Sequence, residues 1–254
     1  MLVLMLPAYN ESGSIAPLLN GVADTFRSLD EPATVLLVDD GSSDDTIEVA
    51  RRTADELGLD LEIKEHVTNK GLGEALKTGF WRANEMLRGE GVLVGMDADN
   101  THDPSVIPSM LEKLREGNDV VIASRYAPGG REVGLSPLRS FLSKGASLTM
   151  RLFLPVKGAR DYSCGYRAYS GAALARAFET YGDRFITERG FVSSAEILVK
   201  MSRLPARVAE VPLVLRYDKK GGASKMNISK TMARYVSLIR AGRRMASTPR
   251  DRAA

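Results

Sequence analysis

The chain has 254 residues, with 35 Lys and Arg against 32 Asp and Glu and a formal net charge of +3. A chain of this length buries a substantial single core, and the near balance of charge excludes a strongly polyanion-binding protein, so no nucleic-acid partner is expected. The single cysteine, Cys164, excludes an intrachain disulfide. No apolar run reaches the roughly 18 residues of a membrane-spanning helix.

Taken in chain order, continuous apolar runs of strand length occupy residues 2–6 and 35–38, and strand segments at 61–65, 92–96 and 120–123 repeat the arrangement. Helical periodicity fills the gaps at 15–27, 46–57, 73–87 and 104–115. Strands alternating with helices predict an α/β fold with a mostly parallel central sheet covered by helices on both faces. Ligands of such sheets sit beyond the carboxyl ends of the strands, which here are the polar loops 7–11, 39–45 and 97–100. After Arg125 the alternation stops. A turn at 128–130 precedes a helix at 138–154 with outward-looking apolar residues, a strand at 160–170 and a helix at 172–181. A helix ending at 197–201, a strand at 207–217 and a basic loop at 219–222 follow. A basic amphipathic helix at 225–245 carries Met226, Met232, Val236 and Ile239, and residues 247–254 read as a tail.

Asp97 and Asp99 are the sharpest chemical signal. Two carboxylates one residue apart, just past an apolar strand, are hard oxygen ligands suited to Mg²⁺ or Mn²⁺ held jointly with a diphosphate; the alternative is a solvated acidic turn. Asp103 before Pro104 reads as a helix cap. Within Asp39-Asp40-Gly41-Ser42-Ser43-Asp44-Asp45-Thr46, Asp40 is placed to accept hydrogen bonds from a base or ribose, while Asp44, Asp45 and Thr46 read as turn and cap. Pro7-Ala8-Tyr9-Asn10-Glu11 offers an aromatic ring to a nucleobase. Asn69-Lys70-Gly71-Leu72-Gly73 lets backbone amides approach phosphate or ribose.

In this order the segments resemble the family-2 glycosyltransferases of the GT-A, Rossmann-like fold, and within them the dolichol-phosphate or polyprenol-phosphate mannose synthase group. The resemblance runs from Leu2 to about Met245. It includes Ser124-Arg125-Tyr126, Arg139 with Ser143-Lys144-Gly145, the stretch 161–169, Glu196, Glu210-Val211-Pro212 and Ser224-Lys225. It implies one catalytic domain over 1–246, with 1–125 as the nucleotide-sugar half and 126–246 as the acceptor half and membrane-facing helices.

The resemblance further implies that Pro7, Tyr9, Glu11, Asp40, Lys70, Asp97, Ala98 and Asp99 bind the nucleotide. Asp97 and Asp99 would hold the metal, with Thr101 at a position that can supply a further contact; His102 reads either as a ligand or, as is commoner beside a helix start, as an exposed histidine. Arg125 and Arg139 would act with the two aspartates in catalysis, and with Ser224 and Lys225 would hold the acceptor phosphate. The implied reaction is an inverting, metal-dependent transfer of a hexose, mannose from GDP-mannose foremost, to a polyprenyl phosphate. A UDP-glucose donor, a soluble acceptor and a catalytically silent nucleotide-sugar binder remain alternatives. Cys164 reads as a packed residue, because an inverting transfer needs no such nucleophile. The 187–191 stretch departs from the usual wording of the group, which leaves sugar recognition open. The expected location is cytoplasmic, at the cytoplasmic face of a membrane, reached by the 138–154 and 225–245 helices or through a small membrane partner.

Overall fold

The computed structural model describes residues 1–135, 137–219 and 228–246, leaving out the side chains of 137–140, 142, 228–230 and 241–246. Five strands of the first half, β1 (Leu2–Ala8), β2 (Ala33–Asp39), β3 (Asp60–Glu65), β4 (Val92–Gly95) and β5 (Val120–Ser124), alternate with α1 (Ser12–Arg27), α2 (Thr46–Leu57), α3 (Leu72–Leu87) and α4 (Ile107–Arg115). The continuous apolar strands follow from burial on both sides. In β1, Leu2, Leu4 and Leu6 enter one core with α1, α2 and α4, while Val3 and Met5 enter the other with α3.

The second half adds β6 (Arg131–Val133), α5 (Pro137–Phe153), β7 (Arg167–Ser170), α6 (Gly171–Tyr181), α7 (Val192–Met201), β8 (Val208–Pro212), β9 (Val214–Arg216) and α8 (Ile228–Ala246). The main sheet has the order β3-β2-β1-β4-β7-β5-β8, and β6 and β9 form a second, two-stranded sheet. Every pair of the main sheet is parallel except those of β7, which runs antiparallel to both β4 and β5.

The α/β class and mostly parallel sheet are as expected; three local expectations are corrected. The segment 160–170 is extended only at Arg167–Ser170, because residues 160–164 hydrogen-bond side chains around Asp161 and Glu210 instead of a ladder. The segment 207–217 is two strands in two different sheets: the Leu213 N–H still bonds to Ser124, after which β9 pairs with β6. Residues 104–106 form a 3₁₀ turn before α4, with Asp103 accepting the Ser105 N–H as the expected cap.

The strand ends are packed tightly enough to demand glycine. Gly41 has φ +71°, and a Cβ there would lie 2.5 Å from the Thr68 carbonyl carbon in the loop after β3. Gly41→Ala is therefore expected to lower stability by about 1–3 kcal/mol through strain and forced separation of the two loops. Urea unfolding checks this, with a fall in midpoint at unchanged slope.

Candidate active site

The carboxyl ends of β1, β2 and β4 and the start of α3 enclose a cavity of about 340 Å³. Its walls carry Pro7, Tyr9, Glu11, Asp40, Asp97, Ala98 and Asp99, so seven of the eight expected nucleotide residues come together. The exception is Lys70: its side chain is exposed and off the cavity wall, while its backbone N–H contributes by bonding Asp40. Asn69, Gly71 and Leu72 from the Gly-rich segment also line the cavity, as do Gly190 and Phe191 from the stretch that departs from the family wording.

Asp40 is only 3 % exposed. One oxygen meets His66 Nδ1 at 2.7 Å and the Lys70 N–H at 2.9 Å; the other accepts the Gly71 N–H at 2.7 Å. Nε2 of His66 lies 2.9 Å from the Thr78 hydroxyl on α3. The carboxylate thus ties the end of β2 to the end of β3 and the start of α3, keeping capacity for about one more donor from its roughly four acceptor sites. His66 and Thr78 went unread in the sequence; the available signal was a histidine directly at a strand's carboxyl end.

The neighbouring acidic residues are structural. Asp39 accepts from the Ser42 N–H and hydroxyl. Asp44 accepts from Thr46 and from the Ser12 N–H, fastening the second loop to the first.

Asp99 accepts the Thr101 hydroxyl at 2.7 Å and its N–H at 3.2 Å. Asn100 makes the turn between them in the left-handed region, φ +60°. Thr101 thereby acts by orienting Asp99. His102 is buried against Tyr166, and its Nδ1 accepts the Asp97 N–H at 3.3 Å. That ring nitrogen fixes the backbone of Asp97, and the ring is buried where the sequence favoured an exposed histidine. Cys164 is buried and its thiol is pushed up to about 12, first by burial and then by Asp161, as suits an inert packed residue.

Among the described residues, four carboxylates and no Lys or Arg line the cavity. No group of three or more His, Cys, Asp or Glu among them makes a metal site alone. The donors fit a hard divalent cation that takes the Asp97 and Asp99 oxygens and completes its shell from a diphosphate.

The cations lie elsewhere. Arg125 is off the cavity wall, and all five of its side-chain N–H groups are engaged: Nε and Nη2 grip Asp161 at 2.7 Å each, Nη2 also donates to Ser163, and Nη1 donates to Glu132 and Ser143. All of these partners are protein groups. Arg125 orders the 161–165 segment, which ends at Gly165 beside Asp97. Burial opposes both charges of the pair. Their mutual attraction and hydrogen bonds outweigh it, raising the Arg125 pKa and holding the Asp161 carboxyl below its ordinary value. The Arg139 side chain, Ser224 and Lys225 lie outside the described residues.

The wall at Gly190 and Phe191 is held from behind. Glu196 on α7 accepts the Thr187 and Glu188 N–H groups at 2.9 and 2.8 Å and also the Thr187 hydroxyl. Lys200, one turn on, pairs with Glu196 at 2.6 Å and donates to the carbonyls of Arg184 and Phe185. The loop then presses on α3 so closely that a Cβ at Gly73 would stand 2.3 Å from the Glu188 oxygen.

The fold is shared with glucosyl-3-phosphoglycerate synthase from Mycobacterium tuberculosis, solved with Mn²⁺, UDP and phosphoglyceric acid, which superposes with a TM-score of 0.64 at 19 % identity, over 99 % of this chain and 80 % of that one. An undecaprenyl-phosphate mannosyltransferase of Micrococcus luteus is 35 % identical over 88 % of this chain and 86 % of its own length. A polyprenol monophosphomannose synthase of Mycolicibacterium smegmatis is 32 % identical over 89 % of this chain and 80 % of its own. The profile of glycosyl transferase family 2 matches residues 4–178, and the chain belongs to that family. It is a glycosyltransferase.

Two outcomes follow from the buried pairs. Asp161→Ala leaves Arg125 buried without its partner and should cost about 3–5 kcal/mol in urea unfolding. Because the folded Asp161 pKa is depressed, its contribution is present in full above the ordinary value of 3.8 and is lost as pH falls through the lower folded value; acid-unfolding curves of the variant should lack that limb. Glu196→Gln, which cannot accept on its amide nitrogen, should release the 187–191 loop. Nucleotide affinity is expected to drop about tenfold, the loss of roughly one charged hydrogen bond, as read by calorimetry.

Proposed function

We propose that the protein transfers mannose from GDP-mannose to the phosphate of a polyprenyl phosphate at a membrane surface. The observation that carries this reading is the charge of the cavity: four carboxylates converge where an anionic nucleotide sugar would sit, an arrangement that makes sense with a divalent cation between them. The names of the relatives supply the sugar and the lipid class, and the Mn²⁺ and UDP of the structural neighbour fit the same placement.

In this reading Asp97 and Asp99 hold Mg²⁺ or Mn²⁺, fixed by His102 at the backbone and Thr101 at the carboxylate. The cation, when bound, neutralises charge developing on the departing diphosphate. Tyr9 and Phe191 flank the nucleoside, and Asp40 offers its remaining acceptor capacity to a base or ribose donor. A phosphate monoester is largely ionised near pH 7, so its oxygen attacks the sugar without a side chain removing a proton. The demands on the protein are alignment and charge compensation. Arg139, Ser224 and Lys225 are proposed to compensate the acceptor phosphate, with Arg125 ordering the segment between acceptor and donor.

The acceptor is a lipid, and α5 and α8 are the proposed membrane-facing elements. No helix among the described residues is long and apolar enough to cross a bilayer. Phe141, Leu148 and Leu152 of α5 are exposed at helical spacing, as are Met232 and Val236 of α8, whereas Tyr235, Leu238 and Ile239 turn inward. The expected apolar stripe of the last helix is thus divided between surface and core, and Met226 lies outside the described residues. The proposed location is the cytoplasmic leaflet.

Asp99→Ala should abolish transfer, with a fall in kcat of at least about 100-fold, while the unfolding midpoint changes little. Full transfer by this variant in the presence of Mn²⁺ would remove the metal assignment. A calorimetric panel of GDP-, UDP- and dTDP-sugars with Mn²⁺ should show GDP-mannose as the tightest ligand; preference for UDP-glucose would favour the alternative donor.

A further inference from the structure

A second cleft, of about 680 Å³, lies at the β8 edge of the sheet and shares no lining residue with the donor cavity. It is bounded by Ala127 and Pro128 after β5, by the C-terminal part of α5, by loop 155–160 and by Glu210 on the edge strand β8. Arg151, Lys157 and Arg160 line it. All three are exposed, and none forms a salt bridge with another described residue. They contrast with Arg125 and Lys200, whose charges are engaged inside the protein.

The loop that carries two of these cations is ordered by interactions of its own. The Tyr162 hydroxyl donates to the Leu154 carbonyl at 2.9 Å and accepts the Val156 N–H at 2.8 Å. Gly158, at φ +91°, lies so close to β8 that a Cβ would stand 2.0 Å from the Val208 oxygen. The one carboxylate of the cleft, Glu210, accepts the N–H groups of Arg160 and Asp161 at 2.6 and 2.9 Å. The loop therefore presents Lys157 and Arg160 on a fixed backbone, and the cleft is net positive.

Its position on α5 suggests what fills it. Arg151 is three residues beyond the exposed Leu148, as Lys144 is three beyond the exposed Phe141, so both cations border the apolar stripe on the same side. A helix lying in the interface, with basic residues along one border, brings such cations to the level of lipid phosphates. We propose that this cleft binds the phosphate of an anionic membrane lipid, separately from the acceptor, and so orients the enzyme on the bilayer. The shared chemistry is a phosphate ester; its source is taken to be the lipid headgroup because the cleft adjoins the stripe. The proposal rests on the membrane-surface reading for that source and is independent of the donor, the metal and the sugar.

The test is vesicle flotation without nucleotide sugar, comparing phosphatidylcholine vesicles with vesicles containing phosphatidylglycerol. Wild-type protein should prefer the anionic vesicles. Each of Arg151→Gln, Lys157→Gln and Arg160→Gln should weaken that binding about fivefold, whereas Arg160→Lys, which keeps the charge, should retain most of it. In detergent with a short-chain polyprenyl phosphate, the three Gln variants should keep wild-type kcat and acceptor KM. Unchanged flotation of well-folded Gln variants would overturn the proposal. So would a raised acceptor KM in detergent, which would assign the cleft to the acceptor path. Protection against thermal unfolding by millimolar glycerol phosphate, with no vesicle preference, would assign it to a soluble ester instead. Failure of transfer with intact vesicle binding would count against the proposed reaction and leave this site standing.

Discussion

The cavity exists because a buried carboxylate binds protein groups before it meets any ligand. Asp40 stands at the end of β2 and receives one side chain and two backbone N–H groups from the segment 66–71. With the His66 N–H on the Asp39 carbonyl, these bonds lay the loop after β3 over the end of β2 and bring the Gly-rich start of α3 to the cavity wall. Gly41 and Gly73 serve the same closure by allowing backbone against backbone, one between the second and third strand ends and the other between α3 and the 188–189 segment. A buried carboxylate is tolerated here because it is satisfied on several sides.

The same rule explains how charge is distributed. The cavity is lined by acids, and two buried cations are committed elsewhere: Arg125 to Asp161 and Glu132, Lys200 to Glu196. Each buried pair fixes a segment that ends at the cavity, Gly165 beside Asp97 in one case and Gly190 with Phe191 in the other. Positive charge for an anionic donor would then arrive with the metal. In the proposed reading, this separation leaves the cavity's charge to be balanced by a cation and its diphosphate.

What could be read in the sequence was what is local. Pro7, Tyr9, Glu11, Asp40, Asp97 and Asp99 all directly follow apolar runs, so strand periodicity alone placed them at one sheet edge, and the order of motifs pointed to the family. The partners of Arg125 stand 7, 18, 36 and 38 residues away, and no periodicity marks such a network. The antiparallel direction of β7 was hidden because four residues, Arg167–Ser170, carry no pattern that says which way their neighbours run. The pairing of Glu196 with the 187–188 amides was hidden because α7 is buried on all sides, so its pattern does not single out the one carboxylate that holds the cavity wall.

If this cavity passes mannose to a lipid phosphate with the help of a divalent cation, a mannosyl lipid must form from the purified protein and must depend on the metal. The most direct measurement is mass spectrometry of the lipid phase after incubating the purified protein with GDP-mannose, polyprenyl phosphate and Mg²⁺ or Mn²⁺, with and without excess chelator. The account predicts a mannosyl phosphodiester of the polyprenol that forms with metal and disappears with chelator. Product formed equally well under chelation, or formed only from a different nucleotide sugar, would contradict it.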